Sequence, residues 1–411
     1  MNAGEFYQHL TTYADLIVSV GLNLHEGEKV KINFHSESID LVRLIAESAY
    51  KRGASTVALN FRDSRIEEAR ASFLHEQFLD TFPAAEVENH LNFQHSGYSE
   101  ITILAPFTNS HALLDEQRIQ RMNRAKSIAM KPVRQYGMEN HNKWVIVNYA
   151  TREWATTVYP DLEDAAALAK LWKVIFSATK VFEDEPIEAW QQHDRQLKNV
   201  QHILNAKKFK SLKFVSDETN LTIGLVKNHL WIGGSEITKG GEPFMSNMPV
   251  EEIWTMPDSR QVDGYFTMTK PSNINGILVH ELRVHFNQGK IVKISSDKPE
   301  IMSDFLNTDE GASRLGEVAL VPANTPIDKA NVNFNNTLLD ENAAIHLAFG
   351  QAYMDNIQDG FALKEDELKQ LGMNFSSAHQ DIMFGSSTMD VFGIHSDGTE
   401  EIIMQNGVWK V

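Results

Sequence analysis

Apolar positions recur with two different periods along this chain, and the change of period divides it. Residues 5–21 place Phe6, Leu10, Tyr13, Leu16, Ile17 and Val20 at helical spacing, and residues 38–52 form a second amphipathic helix closed by Gly53. The segments 29–34, 55–61, 100–106 and 143–150 read as strands, with helices over 63–79 and 115–129 between them. This alternation predicts a mainly parallel sheet covered by helices. Helices around 162–178 and 187–206 lead into a strand-rich region with turns at Asp217-Glu218, Gly233-Gly234 and Asn287-Gln288-Gly289. The expected fold class is α/β with two domains: residues 1–205 as an N-terminal α/β domain, and residues 206–411 as a C-terminal, strand-rich α+β domain.

Length and composition agree with that division. A chain of 411 residues with 42% hydrophobic side chains has material for two cores. Its 55 acidic against 38 basic side chains give a formal charge of −17. A field of that sign repels phosphate backbones and anionic lipid heads, so nucleic acid and membrane surfaces are poor partners, while cationic ligands are tolerated. Cysteine is absent, which excludes disulfides and thiolate zinc sites and leaves oxygen and imidazole as the metal donors. No stretch approaches the roughly 18 uninterrupted apolar residues of a membrane span. The first thirty residues lack the pattern of a signal peptide. A cytoplasmic protein is expected, and the sequons at Asn220, Asn335 and Asn374 are then chance matches.

Several familiar motifs are missing. There is no GxxxxGK[ST], no GxGxxG after a strand and no GxSxG, so a phosphate loop, a dinucleotide fingerprint and a serine-hydrolase elbow have no support. His280 and His285 flank an acidic residue, but they are five apart in a strand-like segment and point to opposite faces. They are read as polar residues of an exposed strand.

Six potential metal ligands lie in the C-terminal half: Glu251, Glu317, Glu341, His346, His379 and Asp381. The segment DENAAIHLAFGQAYMD reads as a helix with Asp340 near its start, on which His346 and Tyr353 share a face. In SSAHQDIMFG, His379 and Asp381 are two apart and reach the same side of an extended segment. Glu317 sits inside the apolar run RLGEVALV, where an ionised carboxylate is costly unless paired or bound to metal. Glu251 and Glu252 precede IWTMP, and in a strand they face opposite ways, so at most one is a direct ligand. Imidazoles and carboxylates without thiolates suit a pair of divalent cations, and paired cations suit the activation of water.

The blocks GLNLHEGEKVKI, WATTVYPD, NMPVEEIWTMPD, RLGEVALV, TLLDENAAIHLAFGQAY and SSAHQDIMFG occur in an order that resembles the aminopeptidase T / aminopeptidase S family of dinuclear metallo-aminopeptidases, over essentially the full length. The resemblance implies a hydrolase that removes N-terminal residues from short peptides. It implies two divalent ions per chain held by Glu251, Glu317, His346, His379 and Asp381; we take Glu317 as the bridging carboxylate, with Glu251 and His346 mostly on one ion and His379 and Asp381 mostly on the other, and such donors accept zinc, cobalt or manganese. Glu251 is preferred to Glu252 because it keeps the spacing to Glu317 associated with the family. Tyr353 takes the family tyrosine's place as an oxyanion donor. Glu341 or Glu252 shuttles the proton or orients a ligand. A homodimer, with the N-terminal domain covering the active site, is also implied. The rival expectations are another two-metal hydrolase, a phosphoesterase or amidohydrolase, and a non-catalytic metal-stabilised binding protein.

Overall fold

The computed structural model describes residues 1–105, 115–274 and 277–411. The last residue of the expected strand 100–106 and the Asn275-Gly276 part of the 274–296 run lie outside the described residues. The chain divides into two compact units, Met1–Gln191 with Ser235–Pro249, and Gln192–Gly234 with Val250–Val411. The division falls within the helix Pro186–Lys207.

The first unit is built on a parallel sheet. Its strands are β1 (Lys29–His35), β2 (Thr56–Arg62), β3 (Tyr98–Leu104) and β4 (Trp144–Asn148), in the order β4-β3-β1-β2. The two-residue strand Asn247–Met248 adds to β4, also in parallel. Val30, Ile32 and Phe34 of β1 share a buried face with Ile101, Ile103, Val145 and Val147. The helix Ala3–Leu16 ends in a single wide turn, Ile17–Gly21, so that 5–21 is one element with two geometries. The helix expected over 63–79 stops at Phe73. It buries only Ser64 and Ala71, which is too little apolar contact to draw the chain on for another turn.

The second unit packs two antiparallel sheets. The larger has eight strands, and its core partners include Phe266 and Phe286. Two of its hairpins close where the sequence signals turns, at Asp217-Glu218 and at Gln288-Gly289, whose φ angles of 50° and 71° suit the inverse turn of a two-residue loop. The smaller sheet has five strands in the order His379–Met383, His346–Gly350, Leu315–Leu320, Ile253–Thr255, Ile232–Gly233. One face of it packs on the larger sheet, where Phe349 meets Phe266 and Phe286 with ring centroids 6.5 and 6.0 Å apart.

The helix expected over 340–355 is corrected here. Thr337–Asp340 forms one short helical turn, and His346–Gly350 is a fully buried inner strand. A short apolar run fits a buried helix and a buried strand equally well, and here the neighbouring strands decide it. His346 and Tyr353 therefore do not share a helical face.

Candidate metal centre

Four chemistry-bearing side chains rise from the other face of the five-stranded sheet, and strand register explains which residues these are. Trp254 pairs with Ala319, and Ala319 with His346. Glu317 pairs with Ala348, and Ala348 with Asp381. Gly350 pairs with His379. Paired residues share a face, as do residues two apart on a strand. One face therefore presents Glu317, His346, His379 and Asp381 standing on a floor of Ala319, Ala348 and Gly350. Leu347, Phe349, Val318 and Ile382 point to the core instead. The register slips at Gly316, so that Leu315 opposes Phe349 while Glu317 opposes Ala348. A Cβ at Gly316 would come within 2.4 Å of the Gly350 carbonyl, so only glycine permits this bulge.

The side chains converge closely. His346 Nε2 lies 3.4 Å from Glu252 Oε2 and 3.5 Å from Glu317 Oε1. His379 Nε2 lies 3.9 Å from the other Glu317 oxygen and 3.4 Å from Asp381 Oδ1. Glu341 lines the same cavity as Asp381 and feels its charge. Tyr353 follows the strand in a loop, with its ring 5.1 Å from that of His379 and edge-on to Trp254 at 5.6 Å. Both imidazoles are fixed through Nδ1, which faces the Ala344 carbonyl at 3.2 Å in His346 and the Gln351 carbonyl at 2.8 Å in His379. That contact sets the tautomer and turns each Nε2 toward the carboxylates, the arrangement usual for metal-binding histidines.

Glu251 and Glu252 part company. Glu252 has the parity of Trp254 and reaches His346, whereas the Glu251 carboxylate lies 3.6 Å from His193 Nε2. The Glu251 amide donates to Asn342 Oδ1 at 2.6 Å. Glu252, Glu317 and His346 each offer a donor atom within 4.8 Å of the others, and Glu251 does not enter that group. Of the expected residues, the structure thus gathers Glu252, Glu317, Glu341, His346, Tyr353, His379 and Asp381 and leaves Glu251 facing His193. His193 was not anticipated; a lone histidine on an amphipathic helix gives no signal. His285 lies on a strand opposite Tyr265, away from the cluster.

Burial without cations makes this a tense arrangement. Among the described residues no lysine or arginine pairs with Glu252, Glu317, Glu341 or Asp381. Burial, followed by the fields of Glu317 and Asp381 against that of His346, pushes Glu252 up to about 7. Burial and the neighbouring Asp381 and Glu252 hold Glu341 well above the carboxylate range. Burial lowers His346, but the nearby Glu317 carboxylate and the Glu252 and Asp381 charges outweigh it and leave the imidazole at about 9. For His379 the same opposition, with Asp381 as the main partner, also gives about 9. Burial and then Glu317 raise Tyr353, which keeps its hydroxyl protonated.

Three atoms of the cluster, Glu252 Oε2, His346 Nε2 and Asp381 Oδ1, are buried without a hydrogen-bond partner. Orphaned acceptors of this kind are rare in folded proteins. A donor set of carboxylates and Nε2 atoms, all aimed inward, fits divalent cations.

Comparisons with known proteins agree with this chemistry. A sequence model of the family described as thermophilic metalloprotease (M29) matches residues 6–409. The chain is 38% identical over 407 residues to aminopeptidase T of Thermus aquaticus, covering 99% of each chain. It is 37% identical over 405 residues to aminopeptidase AmpS of Bacillus subtilis strain 168, covering 98% of this chain and 99% of that one. The solved structure of wild-type AmpT from Thermus thermophilus superposes with a TM-score of 0.93 at 38% identity, covering 99% of this chain and all of that one. With its full length matched and a cation-seeking cluster on its smaller sheet, this chain belongs to the thermophilic metalloprotease family.

Proposed function

We infer that this chain is a metal-dependent aminopeptidase, hydrolysing the N-terminal peptide bond of short peptides with two divalent ions. The observation that carries the reading is the convergence of two Nε2-directed histidines with buried carboxylates whose inward atoms lack partners. Glu252, Glu317 and His346 would hold one ion, and Glu317, His379 and Asp381 the other. Glu317 suits the shared position because its two oxygens face the two imidazoles separately. Zinc, cobalt or manganese match these donors. Ions bound there supply Lewis acidity and a water of lowered pKa.

The remaining steps belong to side chains. Tyr353, protonated and wedged between Trp254 and His379, donates a hydrogen bond to the peptide carbonyl oxygen as it gains charge. Glu341, protonated beside Asp381, holds a proton in reach of the site and can hand it to the leaving amine. A free α-amine finds carboxylate partners in this acid-rich pocket, which restricts cleavage to the first residue. A cytoplasmic homodimer with the N-terminal domain limiting access is part of the same proposal, resting on the family resemblance.

The resemblance favours Glu251 as the ligand, whereas side-chain direction favours Glu252. Metal content of Glu251→Gln and Glu252→Gln separates the two. The overall reading is tested by measuring bound metal and digesting an N-terminal peptide library, with aminoacyl-p-nitroanilides run beside p-nitrophenyl phosphate. Cleavage of single N-terminal residues, abolished by chelator, is expected; turnover of the phosphate ester alone would remove the peptidase reading. A phosphoesterase has no support in the comparisons, and its anionic substrate would lack a cationic partner at this cluster. Light scattering of the purified protein and a peptide-length series test the dimer and the preference for short substrates.

A further inference from the structure

Parallel sheets covered on both faces are usually apolar on both. In the first unit, β1 turns Lys31 and Asn33 to the face opposite its apolar one, in register with Asn60 of β2 and with Glu100 and Thr102 of β3. Lys31 is 1% exposed, with Nζ 3.0 Å from His90 Nδ1 and 3.5 Å from Glu100. Asn33 donates to Glu100 and to Thr102, and Asn60 donates to Asn33 at 2.7 Å. This polar row crosses the reversal of strand order between β1 and β3.

A cavity of about 440 Å³ lies at the carboxyl end of β2, over Asn60 and Arg62, walled by the helices Ser64–Phe73, Ala84–His95 and Glu116–Ala129. Its size is that of a small-molecule site. Arg62, Arg70 and Lys126 line it, and among the described residues none of the three has a carboxylate within ion-pair distance. Arg70 instead lies over the Phe82 ring at 5.8 Å. Glu67 and Glu86 also line the wall without pairing with these cations. His90, on the inner wall, is pulled down to about 4 by burial first and then by Lys31, with Arg62 and Lys126 adding and Glu100 opposing. Unpaired cations are gathered here although the whole chain carries −17. Phe82, Ile119 and Met122 supply apolar wall beside them.

We propose that this cavity of the first unit is a second ligand site, for a small organic anion in which a phosphate or carboxylate is joined to an apolar group. The guanidinium forks of Arg62 and Arg70, with Lys126, take the oxyanion, and Phe82 and Met122 take the apolar part. Side chains do the recognition, in keeping with the absence of a glycine-rich phosphate loop.

The test titrates phenyl phosphate, benzoate and phenol calorimetrically into the metal-loaded, full-length enzyme and its Arg62→Gln/Arg70→Gln variant. Saturable binding of phenyl phosphate or benzoate but not of phenol is expected, and the tighter of the two identifies the oxyanion. The double variant should lose at least about tenfold in affinity while peptide turnover, which also reports correct folding, stays unchanged. Phe82→Ala should weaken phenyl phosphate and leave inorganic phosphate unaffected. The proposal is overturned if neither anion binds saturably, or if binding survives in the double variant and vanishes on chelation, which would put the anion on the metal cluster.

Discussion

Both units bury charged side chains on one face of a sheet, and they settle those charges in opposite ways. In the parallel sheet, Lys31, His90, Glu100 and Asn33 satisfy one another. In the five-stranded sheet, carboxylates crowd two imidazoles and three buried atoms are left without partners. A closed polar network serves packing and positioning, whereas an open one with orphaned acceptor atoms aimed inward is built to receive a cation. The contrast marks out the candidate metal centre more sharply than any one residue does.

The contrast breaks most visibly at Glu317. Glu317→Gln and Glu252→Gln each remove a donor from the open cluster, and activity should fall on the order of a thousandfold with metal lost, read by elemental analysis and turnover. Retained metal in both variants would mean that the orphaned atoms have another purpose. Tyr353→Phe should lower kcat by about 10² to 10³-fold with metal content unchanged. Glu251→Gln, altering only the His193 contact, should cost roughly 10–100-fold in metal affinity, the size seen when a supporting partner is removed. An effect as large as that of Glu317→Gln would move the ligand role to Glu251.

A pH series sharpens the same point. In the chelated protein Glu252 titrates at about 7 instead of 4.5, and His346 at about 9 instead of 6.5. The fold favours the protonated form of both groups. Stability from Glu252 is therefore lost as pH rises from 4.5 to 7, and stability from His346 is lost between 6.5 and 9. Denaturant midpoints should fall by the equivalent of a few kcal/mol between pH 5 and pH 9 in chelator, and much less with metal bound. The smallest effect belongs to the closed network. Lys31→Met/Glu100→Gln removes its charges as a pair, so melting should shift only slightly and turnover should stay within about twofold.

Much of this was legible in the sequence, because strong periodicity survives tertiary context. The strands expected at 29–34 and 55–61 are observed at Lys29–His35 and Thr56–Arg62, and Glu317, His346, His379 and Asp381, which residue type singles out, stand together. The segment around His346 was misread as helix, although its alternation was present: His346, Ala348 and Gly350 on one side, Leu347 and Phe349 on the other. The strand was hidden by its burial on both faces, which makes the core side and the floor equally apolar. That Glu252 and not Glu251 approaches His346 follows from extending the parity of Trp254, but that needs the knowledge that Trp254 faces the site. The return of Ser235–Pro249 to the first unit rests on two-residue strands, too short to leave a pattern.

Ala348 carries no heteroatom, yet it sets the scale of the centre. Glu317 and Asp381 stand on the two strands either side of it, so the ladder of the sheet holds their backbones roughly 10 Å apart. The span between these two carboxylates is thus ruled by the peptide framework rather than by the donors themselves. Losing one donor should leave the cradle's width intact, and enlarging the alanine should distort it with every donor still in place.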